Sequence, residues 1–229
     1  GGSWQSAEPQ TPLIDFSLER IRRSGLPSGR IVLSHDAGEA ALYTGHLFRH
    51  FLSTHAAAVP RTAVVRGSVH PEKDTRLLRY ESPYPLTAVV GRLLSHSNNF
   101  IANQLLMTMC AAQKGEPATL TKGVQTMRAF LDGLLGPGRV QLSEGSGLSR
   151  ENRISAQDLC RCLAALTPYQ HLLPREGHQL YKTGTLNGIR TRAGFIEGKD
   201  GRLYRFAVMF NTPGKAPESI LRSVMESLS

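Results

Sequence analysis

Two short polar triplets in this 229-residue chain hold side chains able to fix an anion and move a proton: Ser97-Asn98-Asn99 and, about eighty residues later, Lys182-Thr183-Gly184, followed by Thr185. Lysine supplies a fixed cation, threonine and asparagine supply hydrogen-bond donors, and a serine hydroxyl can pass a proton along. Taken singly, each has an ordinary explanation. Lys-Thr-Gly arises by chance in strands and turns, with the lysine on the surface, and Ser97 and Asn99 could merely cap a helix. Their order and their flanking residues carry the weight.

Other chemistry-bearing residues fit less well. Ser146, in Glu144-Gly145-Ser146-Gly147, lacks a Gly-x-Ser-x-Gly elbow and a nearby lysine or histidine base. His46 and His50 are four apart on one helical stretch, but no carboxylate stands at a supporting spacing, so an exposed helix face outweighs a metal site. Cys110, Cys160 and Cys162 make an odd count, and the Cys-x-Cys pair points its thiols apart on a helix. A disulfide from Cys110 to one of the other two is conceivable in an oxidising compartment, with buried free thiols the commoner outcome. No nucleotide-binding loop is present, and no cofactor is expected.

Composition narrows the class. Twenty-seven cations, of which only six are lysine, face eighteen anions, for a net charge of +9. Such a chain suits anionic partners. The arginines are dispersed, and there is no recognition-helix pattern, zinc spacing or aromatic ladder, which argues against nucleic acid. No apolar run reaches the roughly 18 residues that cross a bilayer, and no signal-like segment opens the chain, although a cleaved signal would leave no trace. Residues 1–12 read as a flexible lead-in, followed by a single domain over 13–229.

The elements that must position the triplets alternate between α and β without repeats. Helical patterns run over Leu13–Arg23, Gly38–Ala57, Leu86–Leu94, Asn98–Ala112, Leu120–Leu135, Ala156–Leu166 (with Ser155 as N-cap) and Pro217–Leu228. In the second, Leu42, Leu47, Phe48, Phe51 and Leu52 lie near one stripe. Arg30–Ser34 reads as a short strand, and Thr62–Val69 and Thr75–Glu81 as a strand pair about the turn His70–Asp74. Leu180–Thr185, Thr191–Glu197 and Leu203–Phe210 form an antiparallel meander. Leu105, Leu106, Met107 and Met109, with Phe206, Val208 and Phe210, read as core. The expected class is α/β of the α+β type: helices packed on an antiparallel sheet.

Three stretches taken together carry a resemblance: Ser95 to Leu106, Glu144 to Ser155, and Lys182 to Gly188. They resemble the class C low-molecular-mass penicillin-binding proteins, D-alanyl-D-alanine carboxypeptidases and endopeptidases of peptidoglycan, from about Ala41 to the C-terminus. The resemblance implies a β-lactamase/transpeptidase-like fold and an extracytoplasmic, periplasmic location. The implied partner is a stem peptide ending in D-Ala-D-Ala, or a β-lactam. It further implies that Lys182 holds positive potential over the cleft, that Thr183 bonds the terminal carboxylate, and that Gly184 allows close approach of the substrate backbone. Thr185 N–H would be an oxyanion donor, Ser97 a proton relay, and Asn99 a partner for the penultimate peptide group. Ser146 is counted on the substrate side, in a loop supporting the cleft from below, with Asn152 and Arg153 tying it down. Arg190 and Arg192 could steer acidic stems.

One member of the family's set is missing. The residues three before Lys73, Lys114, Lys122, Lys182, Lys199 and Lys215 are His70, Ala111, Thr119, Gln179, Ile196 and Thr212, so no Ser-x-x-Lys nucleophile is present. In the family that triplet lies near the N-terminus, separated from Ser-x-Asn by a large insertion. This chain therefore looks like the later part of such a protein, expected not to acylate by itself. The alternative is a non-catalytic relative that binds muropeptide or serves as a scaffold.

Overall fold

The two-residue alternation of Gln179–Leu186 (β2), Ile189–Glu197 (β3) and Leu203–Phe210 (β4) decides the architecture around the triplets. These strands, with the two-residue Arg175–Glu176 (β1), form an antiparallel sheet in the order β1-β2-β3-β4. Register pairs Leu180 with Phe195, Tyr181 with Gly194 and Lys182 with Ala193. A computed structural model describes residues 11–27, 31, 33, 36–55, 63–70, 72–115 and 117–227.

Seven helices form among the described residues: α1 Asp15–Ser24, α2 Ala37–His55, α3 Leu86–His96, α4 Asn99–Lys114, α5 Leu120–Leu135, α6 Ala156–Leu166 and α7 Glu218–Ser227. Their starts follow the expected capping chemistry. Ser155 Oγ accepts from the Asp158 amide at 3.0 Å and donates to the Asp158 carboxylate at 2.6 Å. Thr119 caps α5 through the Lys122 amide, and Asn98 caps α4 through Ile101.

Opposite sheet faces bury opposite sets of alternating residues. Leu180 and Phe195 join Leu163 of α6 and Leu173, with Leu94 of α3, Ala193 and Leu203 packed against them. Ile196 and Phe206 face Leu221 of α7, with Tyr181, Val208 and Met225 alongside. Each large side chain so buried contributes roughly 1.5–3 kcal/mol. The strand pairing also needs one glycine: a Cβ on Gly194 would lie 2.0 Å from the Leu180 carbonyl oxygen and 2.6 Å from Tyr181 Cα. Beside the sheet, α4 and α5 approach closely because Gly123 has no side chain to meet the Leu106 carbonyl.

The chain divides into two compact units, Gly1–Tyr80 and Glu81–Ser229. In the second unit the expected helices and the three-stranded meander form within a few residues of their sequence boundaries. A 3₁₀ turn at Thr167–Leu172 and the short β1 are additions that the sequence pattern did not signal.

The first unit departs from expectation. The pair Thr62–Val69 and Thr75–Glu81 forms no ladder among the described residues, although the turn between them does, with the His70 amide on Asp74 Oδ2 at 2.7 Å. A two-stranded ribbon without a third strand or a covering face is marginal in water. Of the strand expected at Arg30–Ser34, Ile31 and Leu33 lie outside any strand, and the other three residues fall outside the described residues, as do residues 1–10 of the lead-in. The apolar stripe of α2 is not buried either: Phe48, Phe51 and Leu52 are exposed. All three cysteines are free thiols.

Gly194→Ala places a methyl against backbone that cannot rotate away, so it is expected to cost about 2–3 kcal/mol in urea unfolding. A loss below about 0.5 kcal/mol would show that β2 and β3 do not depend on this contact.

Candidate functional site

Ser97 sits at the break between two helices. It closes α3 with its amide on the Leu93 carbonyl and adopts the left-handed conformation, φ 55° and ψ 54°. It is the sole non-glycine residue with positive φ among the described residues. For an L-residue that conformation costs about 1–2 kcal/mol, so the turn holds Ser97 in a strained, exposed position. Asn98 then caps α4, and Asn99 opens it with its side chain in solvent. Leu94, one turn before Ser97, packs into the cluster on the α6 face of the sheet.

Lys182 belongs to that same face. Leu180 is buried there, and alternation puts Lys182 and Gly184 on its side and Tyr181, Thr183 and Thr185 on the other. Lys182 is half-buried, with Nζ donating to the Thr183 carbonyl at 3.0 Å. Burial pulls its pKa below the ordinary lysine value. Among the described residues the outer edge of β2 is open past β1. Tyr181 N–H turns outward to the Pro174 carbonyl at 3.0 Å, so the backbone groups of Thr183 and Thr185, two and four residues on, turn outward too. Thr183 and Thr185 are exposed. Gly184 has an internal reason to lack a side chain: a Cβ would meet Thr191 Oγ1 at 2.4 Å.

The loop between α5 and α6 connects the two regions. Gly145 N–H donates to Asn103 Oδ1 of α4 at 2.8 Å, and a Cβ on Gly145 would lie 3.1 Å from the Ala102 carbonyl. At its other end, Arg150 Nη2 donates to the Asn187 carbonyl in the β2–β3 turn at 2.6 Å. The loop thus bridges the helix that begins at Asn99 and the turn that follows Lys182-Thr183-Gly184-Thr185. Its own shape comes from Glu144. That carboxylate accepts from the amides of Ser146 (2.6 Å), Gly147 (2.8 Å) and Ser149 (3.2 Å), from Asn152 Nδ2 (2.7 Å) and from the Ser146 hydroxyl. Asn152 Oδ1 in turn accepts from Ser143, and Arg153 pairs backbone to backbone with Gln141.

Glu144 went unnoticed in the sequence, where the glycines and serines drew the attention. The available signal was an acid heading a Gly-Ser-Gly run, whose closely spaced amides need an anion to converge upon. Ser146 accordingly points its hydroxyl at Glu144. Asn152 ties the loop as expected, and Arg153 does so through its main chain.

Arg190 and Arg192, expected to steer acidic stems, share one face of β3 but engage different partners. Arg190 is exposed at the β2–β3 turn, donating to the Leu186 and Ile189 carbonyls. Arg192 lies on the α7 face, stacked 4.3 Å over the Tyr181 ring and paired with Glu218 at 3.0 Å. It lines a cavity of about 410 Å³ with Gln179, Leu221 and Met225. A second cavity of about 280 Å³ lies among Arg128, Ser143, Glu151 and Arg153. Neither includes a triplet residue. No group of three or more metal-ligating side chains occurs among the described residues.

With this geometry in place, comparison with known proteins gives a consistent answer. The profile of the D-Ala-D-Ala carboxypeptidase 3 (S13) family matches residues 23–174, more than half of the chain. The chain belongs to that family. A D-alanyl-D-alanine carboxypeptidase of Actinomadura sp. (strain R39) is 24% identical over 219 residues, covering 83% of this chain and 40% of the relative. Among solved structures, penicillin binding protein 4 of Haemophilus influenzae, complexed with a β-lactam, superposes with a TM-score of 0.54 at 19% identity, over 62% of this chain and 40% of that one. A predatory endopeptidase of Bdellovibrio bacteriovorus, solved with an immunity protein, gives 0.53 at 17% identity over 99% of this chain and 62% of that one. The fold of helices on an antiparallel sheet is thus that of the penicillin-binding proteins. The chain spans about two-fifths of the length of its carboxypeptidase relative.

Glu144 links the loop to pH. Partial burial pushes its carboxyl up, but the hydrogen bonds from Ser146, Ser149 and Asn152 outweigh burial and hold the pKa below the ordinary 4.5. A carboxylate with a depressed folded pKa stabilises fully above its unfolded value, and the contribution is lost as pH falls through the folded one. The unfolding midpoint should therefore drop more steeply than that of Glu144→Gln as pH falls below about 4.5. Glu144→Ala should cost about 2 kcal/mol at pH 7. Parallel pH curves for the native and Gln forms would remove Glu144 from its place as organiser.

Proposed function

We propose that this chain is the carboxylate-binding and proton-relay portion of a serine-type D-Ala-D-Ala carboxypeptidase or endopeptidase acting on peptidoglycan stem peptides outside the cytoplasmic membrane. The observation that carries this reading is Lys182-Thr183-Gly184-Thr185 on an open strand edge, in a family member whose loop ties that strand's turn to the helix following Ser97. No helix among the described residues is long and apolar enough to cross a membrane.

In this reading a stem peptide lies along the outer edge of β2 as an added strand. The outward backbone of Thr183 and Thr185 takes its main-chain groups, and the Thr185 amide takes the developing oxyanion. Lys182, desolvated and cationic, supplies positive potential for the terminal carboxylate, which the Thr183 hydroxyl bonds. Asn99 takes the penultimate peptide group. The attacking hydroxyl comes from a Ser-x-x-Lys outside this chain. Its oxygen bonds to the penultimate D-alanine carbonyl carbon, the peptide C–N bond breaks, and Ser97 relays the proton to the departing amine. Water then releases the acyl group.

One observation favours a second reading, a muropeptide-binding relative without acylation: none of the six lysines is preceded at three residues by serine. Both readings need Lys182.

By calorimetry, a peptide ending in D-Ala-D-Ala should bind this chain at least about tenfold more tightly than it binds Lys182→Ala, a difference of roughly 1.4 kcal/mol. Binding should weaken as pH rises through the lowered pKa of Lys182, before the ordinary lysine range is reached. Equal affinity for both forms would take Lys182 out of the site. A fluorescent penicillin should leave no covalent adduct on the isolated chain, and a stoichiometric adduct by mass spectrometry would contradict the assignment of the nucleophile to another segment.

A further inference from the structure

Four buried side-chain polar atoms lack a hydrogen-bond partner among the described residues: Thr126 Oγ1, Gln170 Oε1, Gln179 Oε1 and Arg192 Nε. Leaving such an atom unpaired costs about 1–3 kcal/mol, so two of them in one place call for an explanation. The last two share a place. Gln179 and Arg192 both line the cavity of about 410 Å³ that borders α7.

Strand parity explains why they meet. Gln179 precedes Tyr181 by two residues on β2, and Arg192 stands on β3 opposite Thr183, so both lie on the sheet face that packs against α7. The rest of each side chain is engaged. Arg192 Nη2 holds Glu218 at 3.0 Å and the guanidinium stacks on the Tyr181 ring, which leaves Nε–H as an unspent donor. Gln179 Nε2 donates to Met225 Sδ at 2.9 Å, which leaves Oε1 as an unspent acceptor. Both atoms are shut off from solvent, so entry to them requires the wall to move. Met225, unbranched and part of that wall, is the side chain that rearranges at least cost.

The lining defines what fits. An unspent donor beside an unspent acceptor suits a group that offers both an acceptor and a donor, as a carboxamide or peptide group does. Leu221 and Met225 supply apolar wall for a short aliphatic chain, and Arg192 and Arg222 are balanced by Glu218 and Glu226, so a net charge on the ligand gains nothing. The volume falls in the range of small-molecule sites. We propose that the cavity beside α7 binds a small neutral amide bearing a short aliphatic group. Its carbonyl accepts from Arg192 Nε, and its N–H donates to Gln179 Oε1. Lys182 lies on the opposite face of the sheet, and the proposal does not depend on its role.

The test titrates N-methyl isovaleramide into the full chain carrying isotope-labelled methionine methyl groups, followed by NMR. Of the five methionines, Met225 should show the largest saturable shift. Methyl isovalerate has the same aliphatic group and no N–H, and should bind at least about fivefold more weakly. Gln179→Met removes the waiting acceptor and should weaken the amide by a similar factor. Because that exchange replaces an unpaired polar atom with an apolar one, the unfolding midpoint should hold or rise. Lys182→Ala should bind the amide as the native chain does. A Met225 response that favours amide over ester sustains the site even if Gln179→Met proves unstable. Absence of a saturable shift at Met225, equal affinity for amide and ester, or loss of amide binding in Lys182→Ala overturns it.

Discussion

The pleat of β2 against β3 is the constraint on which the rest of the second unit depends. Pairing Leu180 with Phe195 and Tyr181 with Gly194 commits every neighbouring side chain to one face or the other, since a slip of one residue would exchange the faces. That commitment puts Lys182 on the face covered by α6 and α3, and Arg192 with Tyr181 beneath α7. Gly194 makes the register possible by leaving room for the Leu180 carbonyl. The chemistry of Lys182 follows from its place in this alternation: half-buried over a hydrophobic cluster, its charge is poorly solvated and available to an anion.

A second device spans the distance that the pleat leaves. Ser97 and Lys182 come from elements of different kind, a helix break and a strand edge, and the loop after α5 reaches both neighbourhoods. One carboxylate fixes the loop by gathering three amides, a hydroxyl and a side-chain amide. Buried anions are stable only when so satisfied. Asp158 solves the same problem at the start of α6, where Arg139, Ser155 and Arg161 hold the pKa of its buried carboxylate below the ordinary value. The two arrangements lie at either end of the loop-to-helix passage and leave it little freedom.

Legibility in the sequence followed the range of the interactions involved. Helices with side-chain caps, such as Ala156–Leu166 behind Ser155, and strands of apolar alternation, such as Leu203–Phe210, were readable because a few adjacent residues decide them. The arms around His70–Asp74 were misread as a strand pair for the same reason: their residues are strand formers, but a ladder needs a covering face from elsewhere. The stripe of Phe48, Phe51 and Leu52 has the period of a buried helix and remains exposed because burial belongs to the neighbour, not to the helix. The different partners of Arg190 and Arg192 were hidden because the two share one face of β3, and only the groups nearby tell them apart: the Leu186 and Ile189 carbonyls for one, Tyr181 and Glu218 for the other.

By itself, then, the sequence determined the two triplets, the capped helices, the meander and the family to which they belong, because these are recorded in residue type and short spacing. Only the tertiary structure decided the strained turn at Ser97, the face of Lys182, the open edge at Thr183 and Thr185, and the role of Glu144. Each of those depends on groups brought together from distant points of the chain, and a carboxylate surrounded by glycines and serines has no meaning until the amides converge on it.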